Sequence, residues 1–135
     1  MIKEITSKFN ARILVVDDYL INQEFAKQIL EKMDCEVDLA EDGKEALELI
    51  LEYRYDLILM DIHMPEINGF DTTQKIRALE EEKKDIPIIA VTTSALEGDV
   101  EKCIQSGMND FVSKPYKGTD LESMLNTYIP DCKKE

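Results

Sequence analysis

YDLILMDIHMPEINGF, residues 55–70, is the stretch whose reading decides the fold. Leu57-Ile58-Leu59-Met60 is an unbroken apolar run of strand length, the mark of a strand covered on both faces, as in a parallel sheet. Asp61 follows at once, where such a strand ends and its loop begins. In open α/β sheets the crevice beyond the carboxyl ends of the strands is where ligands bind. Met64-Pro65 then blocks helix continuation, and Asn68-Gly69 supplies turn chemistry before a helix expected from about Gly69 to Leu79.

Upstream, Arg12–Val16 (RILVV) is a second buried strand, and it too runs straight into acid, Asp17-Asp18. Ile21, Phe25, Ala26, Ile29, Leu30 and Met33 then form one stripe of a helix, with Asn22, Gln23, Lys27 and Glu31 outside it. Glu36–Ala40 (EVDLA) is a short alternating strand, and Asp42-Gly43 makes the turn into a helix carrying Ala46, Leu47, Ile50 and Leu51. Downstream, the charged run Glu80–Asp85 reads as a solvated helix end or loop. Pro87 opens a fourth strand, Ile88–Val91, which ends in Thr92-Thr93-Ser94, and a helix over roughly Leu96–Ser106 stops at Gly107, a C-terminal cap. Asp110–Ser113 (DFVS) is the fifth strand, with Lys114-Pro115 at its end. Leu121, Met124, Leu125, Tyr128 and Ile129 mark a last amphipathic helix, which Pro130 ends.

Five strands alternating with five helices give an α/β sheet with right-handed crossovers. The five-stranded, doubly wound, flavodoxin-like order 2-1-3-4-5 fits the count, and in it the first and third strands are neighbours. That order brings Asp17, Asp18 and Asp61 to one corner of the sheet, with Thr92 and Lys114 arriving from the fourth and fifth strand ends. The domain is expected over residues 11–130, with 1–10 as an N-terminal extension or linker and 131–135 as a C-terminal tail.

Composition narrows the function. The 135 residues fit one domain with a core of its own. Lys+Arg 16 against Asp+Glu 29 gives a net charge of -13, which repels phosphate backbones and anionic membrane surfaces, so no direct nucleic-acid binding is expected. No apolar run approaches the roughly 20 residues of a membrane span. The N-terminal MIKEITSKFN has no signal-peptide core. Cys35, Cys103 and Cys132 are odd in number and outside any C-x-x-C pattern, which indicates neither disulfides nor a zinc site and suits a reducing, cytoplasmic setting.

Three crowded carboxylates repel one another, and a hard divalent ion resolves the conflict. Mg²⁺ prefers oxygen ligands, keeps several waters and commonly bridges to a phosphoryl oxygen. An aspartate in that setting can attack phosphorus and form an acyl phosphate. Phosphoryl transfer mainly needs alignment and neutralised charge on the equatorial oxygens, so Mg²⁺, the Lys114 ammonium and the Thr92 hydroxyl would each take one. Singly, these residues have plainer explanations: an Asp pair as a helix N-cap, Thr92 as β-propensity, Lys-Pro as a loop dipeptide. His63, with no second histidine or cysteine near it, reads as a loop side chain rather than a metal ligand.

ILVVDD (13–18), DLILMDIHMPEINGF (56–70), PIIAVTTSA (87–95) and DFVSKPY (110–116) together resemble the response-regulator receiver domain of two-component signalling, over Ala11 to Ile129. The resemblance implies that Asp61 is the phosphoacceptor, taking a phosphoryl group from a phosphohistidine on a histidine kinase or histidine phosphotransfer protein. It implies Mg²⁺ held by Asp18, by Asp17 directly or through water, by Asp61 and by the backbone carbonyl of His63. Thr92 would be the switch hydroxyl, Phe111 the switch aromatic and Lys114 the phosphate-pairing cation, with a cis Lys114-Pro115 bond. Such a receiver is not an enzyme on other molecules; it catalyses only its own phosphorylation and dephosphorylation. Output would pass to a downstream protein partner through the fourth helix, fifth strand and fifth helix. DDYLINQ, with Asn22, resembles receivers of hybrid histidine kinases. Two positions depart from the pattern: Thr93 is bulkier than usual, and Phe111 lacks the commoner tyrosine hydroxyl.

Three rivals frame this reading. A haloacid-dehalogenase-like phosphatase would want a second aspartate where His63 stands, and an FMN-binding flavodoxin would want Ser, Thr and Gly where Asp17-Asp18 stand. A phosphorylation-independent adaptor keeping only the fold is the alternative that Asp61, Thr92 and Lys114 argue against.

Overall fold

The computed structural model describes residues 7–62, 69–79, 85–92 and 97–134. The expectations placed on His63, Met64-Pro65, Asn68, Glu80–Lys84, Thr93-Ser94 and Leu96 lie outside those residues. The five strands are β1 (Arg12–Val16), β2 (Glu36–Ala40), β3 (Leu57–Asp61), β4 (Ile88–Thr92) and β5 (Asp110–Ser113). They form one parallel sheet in the order β2-β1-β3-β4-β5. The helices between and after them are α1 (Leu20–Lys32), α2 (Gly43–Glu52), α3 (Gly69–Arg77), α4 (Glu97–Ser106) and α5 (Gly118–Tyr128), with a 3₁₀ turn at Pro130–Cys132.

The apolar runs are continuous because the two faces of the sheet feed two different cores. Ile13 and Val15 of β1, Leu57 and Leu59 of β3, and Ile89 and Val91 of β4 pack with Ala26, Ile29 and Leu30 of α1 and Leu121 and Leu125 of α5. The intervening Leu14, Val16, Ile58, Met60, Ile88 and Ala90 pack with Ala46 and Ile50 of α2, Ile76 of α3 and Cys103 of α4. Successive strand side chains point to opposite faces, so a strand covered on both must be apolar at every position.

Local chemistry fixes the helix ends. The Asp42 carboxylate accepts from the Glu45 backbone N–H at 2.8 Å and caps α2. Gly107 adopts φ 106° and ends α4, with Met108 N–H donating to the Cys103 carbonyl. Arg77 closes the space beside it, donating to the carbonyls of Gly107 at 2.9 Å and Ile86 at 2.7 Å and to Asn109 Oδ1 at 2.8 Å.

Two helix faces differ from the sequence pattern. Ile21, Phe25 and Leu51, expected in buried stripes, are exposed, while Gln23, expected outside, is buried. The start of α1 stands beside the carboxyl end of the sheet, where Ile21 and Phe25 border Lys114 rather than core. Its buried line runs Gln23, Ala26, Ile29, Leu30 and on to Met33, so the expected stripe is buried from Ala26 onward and departs only at the start of the helix, where Gln23 replaces Ile21 and Phe25.

The folded unit also takes in residues on both sides of the expected 11–130 span. Phe9 is fully buried, donates its N–H to Met33 O at 2.8 Å and forms an antiparallel bridge with Lys133. Ser7 N–H donates to the buried Glu122 carboxylate of α5, and Asn10 N–H to Cys132 O. Removing the Phe9 ring opens a cavity that the flanking β1, α1 and α5 side chains cannot fill. Phe9→Ala is expected to destabilise the domain by about 3–5 kcal/mol, read as a lowered urea midpoint with an unchanged slope.

Candidate functional site

The strand order delivers the corner. β1 and β3 lie side by side with Val16 opposite Met60, so Asp61 and Asp17 are the next residues out on neighbouring strands. Oxygens from Asp17, Asp18 and Asp61 all lie within 4.8 Å of one another. Asp17 and Asp61 are buried and Asp18 is exposed, which gives the cluster an open side. Lys114, at the end of β5, reaches across β4 to set its Nζ 3.3 Å from Asp17 Oδ2 and 3.7 Å from Asp61 Oδ2. One ammonium thus faces two buried carboxylates, a balance that leaves negative charge over.

Asp17 is not an N-cap. The residue at that position of α1 is Tyr19, and its side chain makes no cap bond. Asp17 Oδ1 instead accepts from Tyr19 N–H at 2.9 Å, closing a turn that folds the acidic loop back on itself, with Asn22 Nδ2 at 3.5 Å. Thr92, almost fully buried, closes β4 one residue beyond Val91, which is paired with Asp61. Its carbonyl accepts from Lys114 N–H at 2.7 Å, which locks the ends of β4 and β5 together. Phe111 sits opposite Ala90 in β5, partly buried against the core that contains Ile76 and Cys103. The Lys114-Pro115 peptide is cis, as expected. Of the expected site residues, the structure brings together Asp17, Asp18, Asp61 and Lys114, sets Thr92 at the adjoining strand end, and places Phe111 behind it.

Three further residues shape the corner. Gly69 opens α3 so close to β3 that a Cβ there would stand 2.5 Å from the Asp61 carbonyl oxygen and 2.8 Å from Ile62 Cα. The sequence marks it as a turn residue, but its task is close approach. Gln23 sends its Nε2 to the Asp17 carbonyl at 2.7 Å, a partner that a helical stripe does not reveal. Tyr116 meets Phe25 in a tilted contact with ring centroids 5.4 Å apart, and burial together with the charge of Asp17 pushes its hydroxyl up to about 12. Together Ile21, Asn22, Phe25, Lys114, Pro115 and Tyr116 line a cavity of about 380 Å³ beside the acidic corner.

The donor set fits a hard dication. All of its side-chain donors are carboxylate oxygens, and they lie within 4.8 Å of one another, close enough for one hard cation to reach them. A residual negative charge around an open side is the environment such an ion neutralises.

Known proteins resemble this chain over most of its length. A family model described as the response regulator receiver domain matches residues 13–126. Hybrid signal transduction histidine kinase I of Dictyostelium discoideum is 42% identical over 128 residues, covering 90% of this chain and 7% of the kinase. The polar-differentiation response regulator DivK of Brucella anthropi is 34% identical over 120 residues, covering 89% of this chain and 97% of DivK. A solved receiver domain, that of the sensor histidine kinase PA1611 from Pseudomonas aeruginosa PAO1 with a magnesium ion coordinated in its active-site cleft, matches with a TM-score of 0.83 and 40% identity over 90% of this chain and 98% of that one. The chain spans 7%, 4% and 20% of the first three curated relatives it resembles. Sheet order, acidic corner and relatives agree, and the chain belongs to the response regulator receiver domains of two-component signalling.

Proposed function

We propose that this domain takes a phosphoryl group from a phosphohistidine onto Asp61 in a Mg²⁺-dependent reaction and thereby switches a protein-binding surface. The observation that carries the proposal is the convergence of Asp17, Asp18 and Asp61 around one side of a corner whose other side is Lys114. Asp17, Asp18 and Asp61, with the His63 carbonyl, would hold the ion. Mg²⁺ supplies charge neutralisation for a phosphoryl oxygen when bound.

The chain's own residues do the rest. An Asp61 carboxylate oxygen attacks phosphorus as the phosphorus–nitrogen bond of the donor breaks, and the imidazole leaves with the bonding pair. Lys114 Nζ, already 3.7 Å from Asp61 Oδ2, pairs with a second phosphoryl oxygen. The Thr92 hydroxyl donates to a third, drawing the end of β4 inward. Phe111 follows into the space vacated, and the surface of α4, β5 and α5 changes for a downstream partner. The domain acts on no other substrate: it catalyses its own phosphorylation and the loss of that phosphate.

The donor protein docks on the start of α1. Tyr19, Leu20, Ile21 and Phe25 are exposed there at 55%, 67%, 65% and 47%, an apolar patch on a chain of net charge -13. Lys114 belongs both to the adjoining cavity and to the acidic corner, so a partner seated on the patch places its phosphohistidine against Asp61. No helix among the described residues is long and apolar enough to cross a membrane.

Incubation with Mg²⁺ and radiolabelled acetyl phosphate is expected to label the wild type and leave Asp61→Asn unlabelled; equal labelling moves the nucleophile elsewhere, and no labelling of either favours the adaptor. Asp18→Ala is expected to weaken Mg²⁺ binding at least tenfold by calorimetric titration. Phe25→Ser is expected to slow transfer from a phosphorylated histidine phosphotransfer protein about tenfold or more while labelling by acetyl phosphate stays at the wild-type rate.

A further inference from the structure

We infer that Gln23 is a positioning residue for the metal site: its side-chain amide fixes the peptide between Asp17 and Asp18 and so holds both carboxylates in register for the cation. The inference rests on the phosphoacceptor reading above and names a residue which that reading leaves out.

Besides the Asn22 and Lys114 contacts to its carboxylate, Asp17 makes three bonds that hold the acidic loop. Asp17 N–H donates to Ala40 O at 3.0 Å, which extends the β1–β2 ladder by one residue. Asp17 Oδ1 accepts from Tyr19 N–H at 2.9 Å, which sets the Asp17 side chain. The Asp17 carbonyl accepts from Gln23 Nε2 at 2.7 Å, in buried surroundings. Only this last bond acts on the Asp17–Asp18 peptide itself, and the orientation of that peptide plane determines where the Asp18 Cα and carboxylate stand. Without Gln23 the carbonyl would face a buried region with one donor fewer, and rotation toward another partner would carry Asp18 with it.

Gln23 is also placed against the local pattern. It is buried, on the line continued by Ala26, Leu30 and Met33, where an apolar side chain would complete the stripe. A buried amide there requires a hydrogen-bond partner, and the partner it has is the backbone of a residue in the acidic cluster. Groups that orient metal ligands from behind change affinity by about 10- to 100-fold when removed.

Gln23→Met keeps the length and removes the donor. Its Mg²⁺ dissociation constant, by calorimetric titration, is expected to rise about tenfold or more, with the Asp18 and Tyr19 amide resonances displaced in Mg²⁺-free protein. Leu30→Ala, about two turns along the same helix and in the core, supplies the comparison: it is expected to lower the melting temperature while leaving Mg²⁺ affinity within twofold of wild type. Mg²⁺ affinity unchanged in Gln23→Met, or lost equally in Leu30→Ala, overturns the assignment. A wild type that binds no Mg²⁺ overturns the metal reading as well, which separates the two failures. Should Gln23→Met not fold, the wild type still decides: its Gln23 side-chain amide protons are expected to be protected from exchange and to shift on adding Mg²⁺, and free exchange overturns the proposal.

Discussion

Mutual repulsion among Asp17, Asp18 and Asp61 is the constraint on which the rest of the structure depends. Two of these carboxylates are buried, and the described cation that meets both, Lys114, comes from the far edge of the sheet. Nothing in packing favours such a cluster, since buried like charges cost far more than apolar replacements of the same size. What holds it is topology: adjacent parallel strands end at one level, and the ladders of β1 with β3 and of β4 with β5 fix those ends by backbone bonds insensitive to side-chain charge. A chain that invests its most regular element in crowding acids has a use for the crowding.

The same sheet separates the two tasks of a receiver. One face carries α1 and α5, whose apolar residues pack with Ile13, Val15, Leu57 and Leu59; the other carries α2, α3 and α4. Lys114 stands at the exit of β5, with the α1 patch on one side of it and Thr92, through a backbone bond, on the other. Phe111, one turn of the pleat behind, belongs to the opposite core. The α1 patch and Thr92 therefore meet at the ends of β4 and β5, on either side of Lys114.

Most of this was legible in the sequence, for a physical reason. A strand buried on both faces must be apolar throughout, so RILVV and LILM announce themselves, and each is followed by the acids that the strand order then gathers. The β5 segment, DFVS, was legible from the Lys-Pro that ends it. What the pattern does not carry is the distinction between apolar residues that face core and apolar residues left exposed: Ile21, Phe25 and Leu51 look the same in either case. Gln23 was hidden for the converse reason, a polar side chain whose partner is a backbone carbonyl rather than water. The packing of Phe9 beneath Met33 and Lys133 depends on two chain ends meeting, which no local window contains.

The apolar patch on α1 also answers a question set by charge. A phosphoryl group approaching a chain of net charge -13 moves against the field, and surface charge steers association most strongly in the first stage of encounter. Lys114 offsets this only locally, because its single charge, itself 20% exposed, already faces Asp17 and Asp61. A donor recruited by opposite charge would need a strongly basic surface, and such a surface would compete with the dication for the carboxylates it must leave free. Apolar contact has neither defect: it is indifferent to the sign of the field and gives affinity without entering the acidic corner. Ile21 in the first turn of α1 and Phe25 in the second, beside Tyr116, place that contact directly next to the lysine rather than across from it. Under the proposed function, affinity and chemistry are thereby kept on adjacent but separate groups, with the acidic cluster of Asp17, Asp18 and Asp61 outside the apolar contact.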